Sequence, residues 1–359
     1  FLLGVALTQS LPGAILLCGW GQATMRRAVL AQWMRDLGHD PTEGLPRWPG
    51  FIVAEPGAID QQLRLRRLRW LLGSAWSNLI TGLRVLVATY IVTLPGVALM
   101  AFSWRYGWDN SFNKGYEQAY LGPTLGISGL FLLILAMLYV PLAQAQLSIG
   151  ERLSTFFRWR VIWAGIRSQP HRMLWLAAVY FIASFPINVF LAAVLFRFNE
   201  AERIADLTDE EFLRLLRQYF WLVGLVGFPL FVWTRVVAAR TYARCVESAL
   251  RGGRIPAERL AGIAPLERFS RALSPSPQGG VVVKAIRRGS LVPVLALSLV
   301  LWFGFVAQIY VRQFLNYVPL YGWMNQPLVH APWLRYIPDH LENAASERGV
   351  HETPDLPPY

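Results

Sequence analysis

"ITGLRVLVATYIVTLPGVALMAFSW", residues 80–104, decides the fold class. Only Arg84 carries charge in this stretch, and it stands near one end. A helix rises about 1.5 Å per residue, so about 20 apolar residues cross the roughly 30 Å of hydrocarbon in a bilayer. Residues 1–20, 124–146, 173–197, 218–239 and 291–312 share this length and apolarity. The sequence therefore predicts an all-α polytopic integral membrane protein with about six transmembrane helices. Gln9, Ser10, Pro12 and Gly13 interrupt the first of these, which leaves two readings. It either crosses, or forms a Pro-broken re-entrant hairpin that enters and leaves on one side. The chain opens at Phe1 inside an apolar run, so further residues are expected upstream.

Composition agrees with a bilayer environment. Of the 359 residues 54% are hydrophobic and 16% charged, against about 25% charged in soluble domains. The net charge is +12, and all but Lys114 and Lys284 of the 34 basic residues are arginine. Connections 21–79, 147–172 and 240–290 hold 8, 5 and 10 basic residues, whereas 105–123, 197–217 and 312–359 hold 2, 4 and 3. Basic connections stay on the cytoplasmic side. This places the chain in a bacterial inner membrane, with the first set of loops inside and the C-terminus outside.

Local signals add detail. Thr208 stands three residues before Glu211 in "LTDEEF", the spacing of a capping box, and predicts a helix start outside the bilayer. The small residues of "LGISGL" (125–130) are expected to let helices approach closely. Stretches 69–95 and 158–186 both run from an Arg-Trp pair, through an inner-surface helix, to a crossing with a proline, Pro95 or Pro186. Two parallel helical hairpins, 80–146 and 173–239, are the expected result within a membrane domain of residues 1–250.

Much familiar chemistry is missing. None of the five histidines lies in an apolar stretch, where haem or chlorophyll ligands would stand, and no Asp or Glu lies there to serve ion coupling. The phosphate-cradling, zinc-protease and nucleophile-elbow motifs are absent too. Cys18 and Cys245 are far apart in sequence and are expected to be free thiols. No catalytic residue, metal or cofactor is predicted; bound lipids are the one ligand class left open.

The inner-surface segments carry the candidate binding residues. In "QQLRLRRLRWLLGSAWSN" (61–78) the leucines fall on one stripe and most arginines off it, the pattern of a basic amphipathic helix on an anionic leaflet. Arg66, Arg69 and Trp76 are its candidate contacts. In "TFFRWRVIWAGIRSQPHR" (155–172) arginines and aromatic rings alternate as in a nucleic-acid arm. Both ends are tied to crossings, and no separate basic domain follows, so no nucleic acid is expected. At about 100° per residue Arg152, Arg160 and Arg167 share a side with Phe156, Trp159 and Trp163, with no clean wet face. This helix is expected to be partly buried beneath the bundle, with Arg152, Arg160, Trp163 and Arg167 holding headgroups or a neighbouring protein.

The order of "CGWGQATMRRAVL" (18–30), "GLPRW" (44–48), "NLITGLRVLVATYIVTLP" (78–95), "YVPLAQAQLSIGERLSTFFRWRVIWAGIRSQPHRMLWLAA" (139–178) and "VGLVGFPLFVWTRVVAARTYA" (223–243) resembles a family of uncharacterised polytopic bacterial and archaeal membrane proteins, a domain of unknown function. The resemblance covers about the first 250 residues. It implies a polytopic helical domain and no activity.

A cytoplasmic connector, 251–290, and the last crossing, 291–312, precede an irregular outer tail, 313–359, rich in Pro and aromatic residues. Tyr317, Tyr321, Trp323, Trp333 and Tyr336 are candidate docking anchors there. Together these features predict a non-catalytic membrane subunit or scaffold. Its expected partners are membrane lipids, with anionic headgroups on the inner side, and other membrane protein subunits. The alternative is a transporter or lipid-handling protein with a site between Pro-kinked helices.

Overall fold

The structure is a computed structural model, and it describes residues 1–40, 64–111, 121–150, 152–198, 208–260, 262–273 and 291–307. Every regular element among them is helical. In chain order these are α1 (Leu2–Leu7), α2 (Leu11–Asp36), α3 (Arg64–Ser111), α4 (Leu121–Gly150), α5 (Leu153–Phe156), α6 (Trp159–Ser168), α7 (Pro170–Phe198), α8 (Asp209–Arg251), α9 (Ala264–Ala272) and α10 (Leu291–Ala307). A 3-10 turn, Ala257–Arg259, lies between α8 and α9.

Among the described residues three segments are long and apolar enough to cross a membrane: Gly73–Ser103 in α3, Leu121–Gly150 in α4 and Phe220–Arg251 in α8. The expected crossing 173–197 lies within the continuous helix α7, and 291–312 is represented by the shorter apolar α10. Residues 1–20 do not form one helix. Ser10 Oγ accepts from the Gly13 backbone N–H at 3.3 Å and starts α2 afresh. Pro12 has no N–H for the carbonyl of Thr8, so α1 cannot run on. The two pieces pack around Val5, Leu17 and Trp20 against Phe228 of α8.

Exposure on α3 explains why a bilayer suits this surface. Leu83, Val87, Ile91 and Leu94 recur at helical spacing and are 43–57% exposed, while Val85 and Ala88 are buried. A continuous apolar stripe pointing outward is costly in water and natural in lipid. On α4, Ile127 and Phe131 are likewise exposed, but from Leu133 to Ile149 the helix is almost entirely enclosed. It is the central helix of the main core.

The small residues of 125–130 have the expected effect. Gly129 faces Gly96 so closely that a Cβ at Gly129 would fall 2.7 Å from the Gly96 carbonyl oxygen. Ser103 Oγ donates to the Gly122 carbonyl farther along the same pair of helices. Deeper in, Gln144 Nε2 donates to Thr89 Oγ1 at 2.8 Å, linking α4 to α3. Gln146 Nε2 donates to the Thr155 carbonyl at 2.6 Å, and the Tyr242 hydroxyl donates to Gln146 Oε1 at 3.3 Å. Buried amides with such partners fix helix register where apolar packing alone would allow sliding.

The expected similarity of 69–95 and 158–186 fails locally. In the first, the basic stretch 64–78 is simply the start of α3, because no residue between Arg64 and Pro95 lacks an N–H donor. In the second the chain breaks at Gln169, and Pro170 opens α7, a position that suits its fixed φ. The capping box does form: Glu211 N–H donates to Thr208 Oγ1 at 3.4 Å and Thr208 N–H to Glu211 Oε2 at 3.0 Å.

Candidate anion site beside α6

Residues 152–169 form two helices rather than the single helix their periodicity suggests, and α7 begins at Pro170. α5 ends at Phe156, whose ring is fully buried edge-on to Tyr139 with centroids 5.8 Å apart. Its carbonyl accepts from the Tyr139 hydroxyl. Phe156 therefore leaves the arginine side, and Arg152 is the N-cap residue of α5, exposed and apart from α6. The turn at Phe157 and Arg158 resets the helical phase.

α6 then has two distinct faces. Val161, Ile162, Gly165 and Ile166 are buried, with the helix packed on α8. Trp159, Arg160, Trp163 and Arg167 point outward. Arginines and tryptophans do share a side, but that side is the open one, not a face tucked under the bundle. Ile162 and Ile166, four residues apart, with Val161 beside them, give α6 an apolar face that does not include the arginines and tryptophans. The Arg160 guanidinium carbon lies 5.4 Å from the Trp159 ring centroid, and that of Arg167 lies 5.3 Å from Trp163. Stacking holds the cations extended over the rings.

A second wall comes from the chain after α8. Gly253 has φ +61°, a left-handed conformation that favours glycine. Its N–H donates to Leu250 O at 3.0 Å, and that of Arg254 donates to Ala249 O at 2.9 Å, a Schellman ending. The turn aims Arg254 back at α6, where Nη1 donates to Arg167 O at 2.8 Å and Ser168 Oγ at 3.3 Å. At the other end of α6, Arg158 Nη1 donates to Arg259 O at 3.2 Å. Two arginine-to-carbonyl bonds thus clamp residues 254–259 along the helix, while Ile255, Leu260 and Ile263 anchor the segment in the core.

Between these walls is a groove of about 670 Å³, lined by Trp159, Arg160, Trp163, Ala164 and Arg167 of α6, by Arg254 and Arg259, and by Leu291 at the start of α10. Among the described residues four arginines line it and no carboxylate does. Two groups at the start of α7 titrate away from their ordinary values. Burial, reinforced by the neighbouring Arg172 charge, holds His171 below its ordinary pKa. Burial and then the Arg244 charge lower Arg172 as well.

Of the residues expected to hold headgroups, Arg160, Trp163 and Arg167 meet in the groove. Trp76 is 64% exposed on α3, and Arg66 and Arg69 lie in the first turns of that helix, with side chains outside the described residues. Tyr317, Tyr321, Trp323, Trp333 and Tyr336 also lie outside the described residues. Sequence reasoning did not anticipate Arg254, Arg259 or Leu291. The glycines of "RGG" (251–253) end α8, but no local spacing shows which helix the following arginine meets.

Cys18 and Cys245 are separate buried thiols. Among the described residues the fold is all-helical, with three helices long and apolar enough to cross a membrane. No protein-family model, curated protein or solved structure matches the chain.

Proposed function

We propose that this chain is a non-catalytic, multipass membrane subunit or scaffold whose basic end rests on an anionic leaflet. One observation carries the reading. The outward face of α6 combines Trp159, Arg160, Trp163 and Arg167 at the end of a bundle whose helices expose apolar stripes. Arginine stems and indole rings are suited to the boundary between hydrocarbon and headgroups. The excess of arginine in connections 21–79, 147–172 and 240–290 supports a cytoplasmic inner leaflet at this end, six crossings and an outer C-terminus in a bacterial inner membrane. Other membrane protein subunits would then meet the aromatic tail or the inner helices. Purification in mild detergent followed by mass spectrometry tests the role: a stoichiometric companion protein is expected, and a clean monomer without one would overturn it.

A second reading, a transporter or lipid-handling protein, is favoured by Gln144. This side chain is fully buried between helices that contain Pro95 and Pro141, and its Oε1 has no hydrogen-bond partner among the described residues. Accessibility labelling of a cysteine placed at Gln144 separates the two readings, since only a transport path admits a polar reagent there.

A further inference from the structure

We propose that the groove beside α6 binds one phosphate group carrying two or more negative charges, presented by a lipid headgroup. The inference deepens the reading above and rests on its placing of this end at a membrane surface. Arg160, Arg167 and Arg259 line the groove, and among the described residues none of them pairs with a carboxylate. Arg254 commits one nitrogen to the end of α6 and borders the same space. Cations gathered this way repel one another until an anion enters. Guanidinium groups fit phosphate oxygens in paired hydrogen bonds, a geometry that ammonium groups do not offer.

Charge selects among headgroups. A phosphomonoester brings about −1.5 to −2 at neutral pH, a closer match to the groove than the single charge of a diester. A zwitterionic head would place its ammonium among guanidiniums, with no carboxylate among the described lining residues to receive it. Apolar features select the source. Trp159 is 59% exposed beside the arginines. Leu291 begins α10, whose Val292, Leu297, Val300 and Phe303 continue an exposed apolar surface away from the groove. A soluble phosphate would use only the arginines, whereas a lipid also has a chain to lay along α10.

The test uses the full chain in detergent, where neither a bilayer nor a partner protein is needed, so failure of the scaffold reading leaves it intact. Dioctanoyl phosphatidic acid, dioctanoyl phosphatidylcholine and inorganic diphosphate are titrated separately and followed by native mass spectrometry. One phosphatidic acid per chain is expected, with phosphatidylcholine much weaker. The R160Q/R167Q variant should bind about a hundredfold more weakly, roughly tenfold for each guanidinium removed from the phosphate. R152Q removes a charge outside the groove and should bind as the parent does. Both groove positions are exposed, and an unchanged melting curve confirms that the variant folds. Diphosphate binding with the same sensitivity to R160Q/R167Q, without lipid retention, supports the phosphate site and assigns it a soluble source. Equal binding by the parent and R160Q/R167Q, equal loss in R152Q, or equal retention of phosphatidylcholine overturns the proposal.

Discussion

Arg254 Nη1 lies 2.8 Å from the carbonyl oxygen of Arg167, so the residue just past the end of α8 closes the last turn of α6. The final carbonyls of a helix have no partner within it, and a cation there also opposes the negative end of the helix dipole. Replacing Arg254 with Gln is expected to remove about 1.5 kcal/mol of local stability, the lower end of the range for a charged hydrogen bond because this one is exposed. Hydrogen exchange reads this directly: amides in 159–168 should exchange at least several-fold faster, while those of α4 keep their protection. Unchanged exchange in α6 would mean that its apolar face alone holds it.

The turn that aims Arg254 depends on Gly253. Any side chain there must adopt φ +61°, which costs L-residues about 1–2 kcal/mol. Gly253→Ala is therefore expected to loosen both the end of α8 and the end of α6. Gly252→Ala, at φ −84°, should have little effect. Paired exchange measurements on the two variants separate a conformational requirement from a need for small residues.

Legibility in the sequence followed the range of the forces involved. The capping box at Thr208, the stop at 251–253 and the close approach at Gly129 depend on neighbouring residues or small size, and each can be read along the chain. Grouping of Arg160, Trp163 and Arg167 was legible for the same reason, since a short helix keeps its periodicity. The break after Phe156 was not, because that ring leaves the helical pattern for a pocket beneath Tyr139. Arg254 and Arg259 join the site through the path of a loop, which no local spacing encodes.

Helix contact between α3 and α4 predicts a sharp size dependence. A leucine at Gly129 must displace the Gly96 backbone, not merely a flexible side chain. Gly129→Leu is expected to destabilise by about 1–3 kcal/mol or more, as overpacking does elsewhere. Gly73→Leu on the same helix pair, where nothing lies within 4 Å of a Cβ, is the matched control. Thermal unfolding in detergent should lower the midpoint for the first variant only.

Acidification has a defined sign at the basic end. His171 is held below its ordinary pKa by burial and by Arg172, so the folded state favours the neutral ring. Its contribution is fully present above the unfolded value of about 6.5 and is lost as pH falls from there toward the lower folded pKa. His171→Gln is expected to flatten the part of the stability profile between pH 7 and pH 5. Glu211 behaves in the opposite chemical sense but with the same direction. Hydrogen bonds from the Thr208 backbone and side chain lower its pKa, so the cap is present above the usual carboxyl value and is lost as pH falls through the folded one. The two contributions separate because His171 acts at higher pH.

Attachment of α9 depends strongly on one ring pair. Trp33 of α2 stacks on Phe269 with centroids 4.5 Å apart and planes 10° from parallel, and Trp33 Nε1 also donates to the Ala243 carbonyl at 3.3 Å. Leu266 is the other residue of α9 that is fully enclosed. Phe269→Ala should remove about 3–5 kcal/mol, the cost of emptying an aromatic site in a packed core. This exceeds what a nine-residue helix can supply by itself, since isolated helices of that length are marginal in water. Release of α9 is thus expected before the bundle unfolds, and limited proteolysis should cut between residues 262 and 273 in the variant while the parent resists. Phe269→Leu keeps most of the volume and should restore resistance. Equal resistance of the alanine variant would show that Leu266 and the ties of residues 254–259 to α6 hold the segment without the rings.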